Sequence, residues 1–177
     1  MANSRSDLMA NLLASPSVLN KVSLSGGRRR SKTATVVLDN TEAAGHLVPL
    51  ARFDSGDYIE DVYICADTLA GATDVNVGVW TAVDWTLADG VVKDADIFVD
   101  GMTMNNAGAS DSVWLRMSVA AAAGQRTPAQ FGRQLWQDAG DTVAPPPGSQ
   151  YDLVAQFVAD PGAVATFKIK INYTARD

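Results

Sequence analysis

The two residue types that build most metal and redox sites are nearly missing from this chain. Its 177 residues include one cysteine, Cys65, and one histidine, His46. A lone cysteine excludes an intramolecular disulfide framework and any cysteine-based zinc site. A lone histidine likewise excludes every multi-histidine metal site. Aromatic residues make up 7% and charged residues 19% of the sequence. No run approaches the roughly 18 apolar residues needed to cross a bilayer, so no membrane partner is expected. The hydrophobic fraction of 47% excludes a wholly disordered chain. The length suits one domain carrying an appended arm. What is left is a compact acidic binding or structural module, with no enzyme activity and no cofactor expected.

The charge is unevenly distributed. Residues 1–32 carry Arg5, Lys21, Arg28, Arg29, Arg30 and Lys32 against Asp7 alone, a net charge of +5. The remainder holds 8 basic and 19 acidic residues, a net of −11. Such sign asymmetry marks an interaction tail. The segment is no secretory signal, because its apolar residues are broken by Asn11, Ser15 and Pro16 and the Arg triplet follows them. Residues 1–32 are therefore expected to form an extended basic arm, and residues 33–177 the folded body. Extended, the arm spans on the order of 100 Å. Its cations suit an acidic protein surface. Phosphate binding was weighed as well, but the acidic body repels a polyanion and the arm lacks stacking aromatics, so no nucleic acid partner is expected.

The body reads as short strands separated by turn signals. Thr33–Leu38 is a β-branched run, and His46–Phe53 is demoted to an edge or bulged strand by Pro49. Tyr58–Ala66 and Asp74–Ala82 alternate, the latter with Val75, Val77 and Val79 on one side and Asn76, Gly78 and Trp80 on the other. Asp89-Gly90 predicts a tight hairpin turn, and Ile97–Val99 a short strand closed by Asp100-Gly101. Ser112–Val119 alternates weakly. Thr127, Pro128 and Gln130 signal a helix start, with Phe131, Leu135 and Trp136 as its apolar stripe and Gly140 as its end. Pro145-Pro146-Pro147 imposes an extended connector. Tyr151–Phe157 and Ala165–Tyr173 alternate around Asp160-Pro161-Gly162, predicting a C-terminal hairpin. The predicted class is mainly β: an antiparallel sandwich or jelly roll with one short helix and an extended N-terminal arm.

Few constellations suggest chemistry. His46 has no nucleophile-elbow motif to serve, and Cys65 ends a strand amid Glu60, Asp61 and Asp67, surroundings that suit an inert buried thiol. Asp94, Asp96 and Asp100 resemble a calcium loop, but Phe98 stands where an oxygen ligand is required. A solvated acidic turn explains them better. Trp80, on the wet side of its strand, and Trp85 allow three roles: packing, an interface anchor, or a sugar-stacking platform.

The run from Ala51 through Ile64 (ARFDSGDYIEDVYI), continuing through Asp67-Thr68-Leu69 to Asn76–Trp80, resembles small head proteins of tailed bacteriophages. The pieces Asp94–Phe98, Gln134-Leu135-Trp136 and Tyr151–Val154 follow in the same order, so the resemblance covers roughly residues 46–173. It implies a jelly-roll-like decoration or cement protein without cofactor, made in the bacterial host cytoplasm and residing on the capsid surface of the virion. Its partners would be the major capsid protein and further copies of itself, as a trimer or dimer. On that reading Arg5, Lys21, Arg28, Arg29, Arg30 and Lys32 face the capsid, while Trp80 and Trp85 are interface anchors. The alternative is a carbohydrate-binding β-sandwich of a phage tail or receptor-binding structure, with Trp80 or Trp85 as the platform.

Overall fold

A computed structural model describes residues 29–38, 43–66, 74–103, 114–117, 126, 130–160 and 164–175. Eight strands form two antiparallel four-stranded sheets. They are β1 (Arg29–Leu38), β2 (Leu47–Asp54), β3 (Tyr58–Ala66), β4 (Asp74–Thr81), β5 (Val92–Thr103), β6 (Leu115–Arg116), β7 (Gln150–Phe157) and β8 (Ala165–Thr174). One sheet runs β1-β8-β3-β6 and the other β2-β7-β4-β5. Strands β1 with β8, β2 with β7, β3 with β6 and β4 with β5 therefore pair as one long hairpin rolled into a sandwich. That is the jelly roll. The expected fold class holds.

Alternation explains the layers. Ala34, Val36 and Leu38 of β1, Val75, Val77 and Val79 of β4, and Phe167, Ile169 and Ile171 of β8 are buried between the sheets. Phe157 meets Phe167 edge-on at 5.8 Å, and Phe53 meets Tyr173 at 5.0 Å, a geometry aromatic pairs favour. Pro49 lies on edge strand β2 beside a break in its register with β7, as a residue without an N–H must.

Four local expectations need correction. First, β1 begins at Arg29, four residues before the expected strand start at Thr33, because it pairs with β8 from Arg29 opposite Thr174 onward. Second, β7 and β8 are no hairpin. They lie in different sheets, since facing each other across the core buries both apolar faces where side-by-side pairing buries one. Third, β4 and β5 do pair, but through the loop 82–91, and Gly90 is not among the positive-φ glycines that a tight primed turn would require. A Cβ there would lie 2.7 Å from the Thr81 carbonyl oxygen and 3.1 Å from the Trp85 ring, so Gly90 is needed for close packing. Fourth, the helix is shorter than its stripe. It spans Leu135–Asp138 as α1, since Gly132 adopts φ 81° and interrupts any earlier helix. The capping box shifts to Gln134 and Gln137. Thr127, Pro128 and the turn residues Pro161 and Gly162 lie outside the described residues.

Candidate functional site

On the outer face of the second sheet, Arg52 of β2, Asp152 of β7 and Trp80 of β4 stand in one cross-strand row. The loop 82–91 folds back over that row and closes a small second core of Trp80, Trp85 and Val154, flanked by Leu47, Val83 and Ala95. Asp152 is fully buried. Its Oδ1 accepts from Arg52 Nε at 2.7 Å, and its Oδ2 accepts from Arg52 Nη2 at 2.8 Å and Trp85 Nε1 at 2.7 Å. Arg52 Nη2 also donates to the Val83 carbonyl at 2.6 Å. The bond to Asp152 is the main reason the guanidinium pKa rises above its ordinary value. A buried ion pair is tolerable only when its lone pairs and protons are satisfied in this way.

The same loop is tied at its tip and base. Asp84 Oδ1 accepts from Thr86 N at 2.9 Å and from Thr86 Oγ1 at 2.6 Å, while Leu87 N donates to the Asp84 carbonyl at 2.9 Å. At the base, Thr81 N donates to the Val91 carbonyl and Val91 N to Thr81 Oγ1. The loop is thus held in one shape, and that shape leaves Leu87 85% exposed. An open cleft of about 450 Å³ adjoins its base, lined by Thr81, Lys93, Asp141, Val143, Pro145 and Tyr151 among others. Within it Lys93 Nζ donates to Asp141 Oδ1 at 2.8 Å, and the Tyr151 hydroxyl bonds the other Asp141 oxygen. Burial pushes the Asp141 carboxyl up, but the bonds from Lys93 and Tyr151 outweigh it and hold the group below the usual carboxylate range. Burial, reinforced by Asp141, pushes the Tyr151 hydroxyl upward. Near neutrality Asp141 is therefore charged and the Tyr151 hydroxyl protonated.

The predicted site residues divide sharply. Arg5, Lys21 and Arg28 lie outside the described residues. Arg29, Arg30 and Lys32, expected on the arm, are strand residues of the body with partners inside the chain. Arg29 pairs with Glu60 and lies 3.8 Å from Asp61. Arg30 hydrogen-bonds Tyr173, its neighbour in register. Lys32 turns inward, donates to the Arg52 carbonyl, and sits 4.0 Å from the Phe53 ring centre and 5.2 Å from that of Tyr173. Burial lowers its pKa to about 8. Trp80 and Trp85, expected as interface anchors or a sugar platform, are 2% and 3% exposed. Neither offers a face to a ligand, because the loop that Trp85 belongs to covers both. Of the three roles open to Trp80, packing is the one it plays.

The remaining candidates fall into ordinary places. Cys65 is buried at the end of β3. His46 precedes β2, where its carbonyl accepts from Phe157 N at 3.0 Å. Asp94, Asp96 and Asp100 are spread along β5, and among the described residues no three metal-binding side chains group together.

Sequence reasoning missed two buried pairs. One is Arg52–Asp152. The other is Arg126–Asp138, whose side chains approach to 3.1 Å while Arg126 donates to the Ile59 carbonyl at 2.8 Å and lies over the Phe98 and Phe131 rings. Burial raises the Asp138 pKa to about 6. A signal for the first pair was present: Trp80 and Val154 are large apolar residues on a face that should have been wet, so something had to cover it.

The topology defines a class, the eight-stranded jelly roll. Among solved structures of that shape, the chain is similar to one from the capsid of Ralstonia phage GP4, with a TM-score of 0.65 and 14% identity over 98% of this chain and 97% of the other. It is also similar to a chain from the capsid asymmetric unit of cyanophage Pam1, with a TM-score of 0.51 and 12% identity over 92% and 96%. No family model and no curated protein matches the chain.

Proposed function

We propose that this chain is a bacteriophage head protein that decorates or cements the capsid, binding the outer surface of the major capsid protein shell and stabilising it by contact alone. The observation that carries the reading is the jelly roll shared, over nearly the full length of both chains, with a chain from the capsid of Ralstonia phage GP4. An acidic body keeps free copies apart in solution. A basic leading segment is drawn to an acidic shell, and many identical contacts reinforce each other there. Arg5, Lys21 and Arg28 are the shell-facing cations of this proposal, since Arg29, Arg30 and Lys32 are engaged within the body.

The test is addition of the purified chain to heads assembled without it. Saturable binding that raises the temperature at which heads release their DNA supports the proposal. Heads that neither bind the chain nor gain stability refute it. The sugar-binding alternative finds no support in the geometry, because both tryptophans are covered.

A further inference from the structure

Large apolar side chains left in water gather beside the cleft at one end of the sandwich. Leu87, at the tip of the β4–β5 loop, is 85% exposed, and Val91 and Val92 behind it are 67% and 52% exposed. Val143, 76% exposed, lines the cleft together with Thr81, whose backbone and hydroxyl bond Val91. Two segments far apart in sequence thus present apolar side chains beside one cleft. A single exposed hydrophobe is ordinary, whereas a grouped patch marks a surface that meets a partner.

The strand ends locate this patch. Thr81 closes β4 opposite Tyr151, and Asp54 closes β2 opposite Gln150. From Asp54 a short turn leads to Tyr58, which stands opposite Thr174, and Thr174 in turn stands opposite Arg29. The start of β1 therefore shares an end with the loop 82–91 and the cleft. The leading segment that carries Arg5, Lys21 and Arg28 joins the body there. Val37, 61% exposed near the close of β1, marks the opposite end.

The tip rests on a support that fixes its shape. The buried Asp152 carboxylate holds Arg52 and the Trp85 indole N–H, and Arg52 holds the Val83 carbonyl, so the loop is anchored to the sheet beneath it. Asp84 fixes the turn itself through Thr86 and the Leu87 N–H. A loop already held in shape loses little conformational freedom on docking. Leu87 is a preformed apolar knob.

We infer that this end is the surface by which the body seats on the shell, with Leu87 entering an apolar pocket of the major capsid protein and Val91, Val92 and Val143 closing around its mouth. The inference rests on the head-binding reading above and adds to it an orientation and a contact chemistry. The occupant follows from where the leading segment joins the body. A shell that attracts the cations of that segment brings this end of the sandwich to its surface before any other. Attraction between charges governs the approach, and removal of leucine and valine from water supplies the hold.

The experiment measures binding of the full chain to heads assembled without it, comparing wild type with Leu87→Asp, Leu87→Ser and, at the far end, Val37→Asp. All three substitutions fall at exposed positions, and tryptophan fluorescence verifies each variant's folding. Both Leu87 variants should bind about tenfold or more weakly than wild type, while Val37→Asp should bind as wild type does. Raising the salt should weaken binding of every chain by screening the leading segment, yet leave the ratio between wild type and the uncharged Leu87→Ser unchanged. Folded Leu87 variants that bind like wild type overturn the inference and leave the proposed function standing, since the wild type still binds. An equal loss for Val37→Asp overturns it as well, because the contact then does not belong to this end. Light scattering of the free chain adds one more outcome: a wild-type assembly that Leu87→Asp dissolves assigns the tip to a second copy and overturns the inference. Heads that fail to bind the wild type refute the head-binding reading itself, and this inference with it.

Discussion

Asp152→Asn probes the network that shapes the candidate site. Both carboxylate oxygens of Asp152 face donors: Oδ1 takes Arg52 Nε, and Oδ2 takes Arg52 Nη2 and Trp85 Nε1. An amide of the same shape offers one oxygen and one NH2, so in either orientation at least one donor meets another donor. With the oxygen kept at Oδ2, the two bonds there survive and Arg52 Nε is left buried against N–H. The arginine also loses its counter-charge. A stranded buried donor costs about 1–3 kcal/mol, and removing a buried charge partner about 3–5 kcal/mol. Because the isostere keeps part of the bonding, the expected loss is about 2–4 kcal/mol. Urea unfolding followed by tryptophan fluorescence is the assay, since Trp80 and Trp85 lie in the affected cluster. The m-value should stay unchanged while the midpoint falls. Pairing Arg52→Met with Asp152→Leu should recover most of the loss, as an apolar replacement of both partners removes the buried charges together. A loss below about 0.5 kcal/mol for Asp152→Asn would refute the network's role.

Three further outcomes follow from the same geometry. The folded state holds the Asp138 proton more tightly than the unfolded chain, with its pKa raised from 3.8 to about 6, so this group's contribution is greatest below pH 4 and declines as pH rises to 6. The span amounts to about 3 kcal/mol, and Asp138→Asn should remove that slope from a plot of unfolding free energy against pH. Gly78→Ala should severely destabilise the fold, dropping the urea midpoint by an amount equivalent to about 3 kcal/mol or more, because a Cβ there would stand 2.0 Å from the Asp94 carbonyl oxygen. A chain lacking residues 1–32 should be less stable by about 2–4 kcal/mol than one lacking residues 1–28, measured by urea unfolding. The four extra residues belong to β1, pair with Thr174 through Ile171, and include the inward-facing Lys32.

The core-facing side of the strands was legible in the sequence. Val75, Val77 and Val79 of β4 and Phe167, Ile169 and Ile171 of β8 alternate cleanly, and the structure buries them. Alternation reports which side chains turn inward, not which strand lies alongside, so Tyr151–Phe157 and Ala165–Tyr173 looked like a hairpin while belonging to opposite sheets. The Asp89-Gly90 signal misled for a related reason. Its glycine answers to the bulk of Trp85, which sequence-local turn rules do not see. The basic cluster at residues 28–32 suggested a tail by charge alone, but pairing with β8, Glu60, Tyr173 and the Arg52 carbonyl draws most of it into the sandwich. The candidate site was the least legible part. Arg52 and Asp152 are 100 positions apart, and only the cross-strand row formed by folding brings them together with Trp80 and the returning loop.

Weighing this chain against the major capsid protein in purified virions bears most directly on whether it is a structural part of a phage head. The account predicts one reproducible ratio, fixed by the shell's symmetry, that survives further purification of intact particles. Virions free of the chain, or holding it in amounts that vary from preparation to preparation, would contradict it.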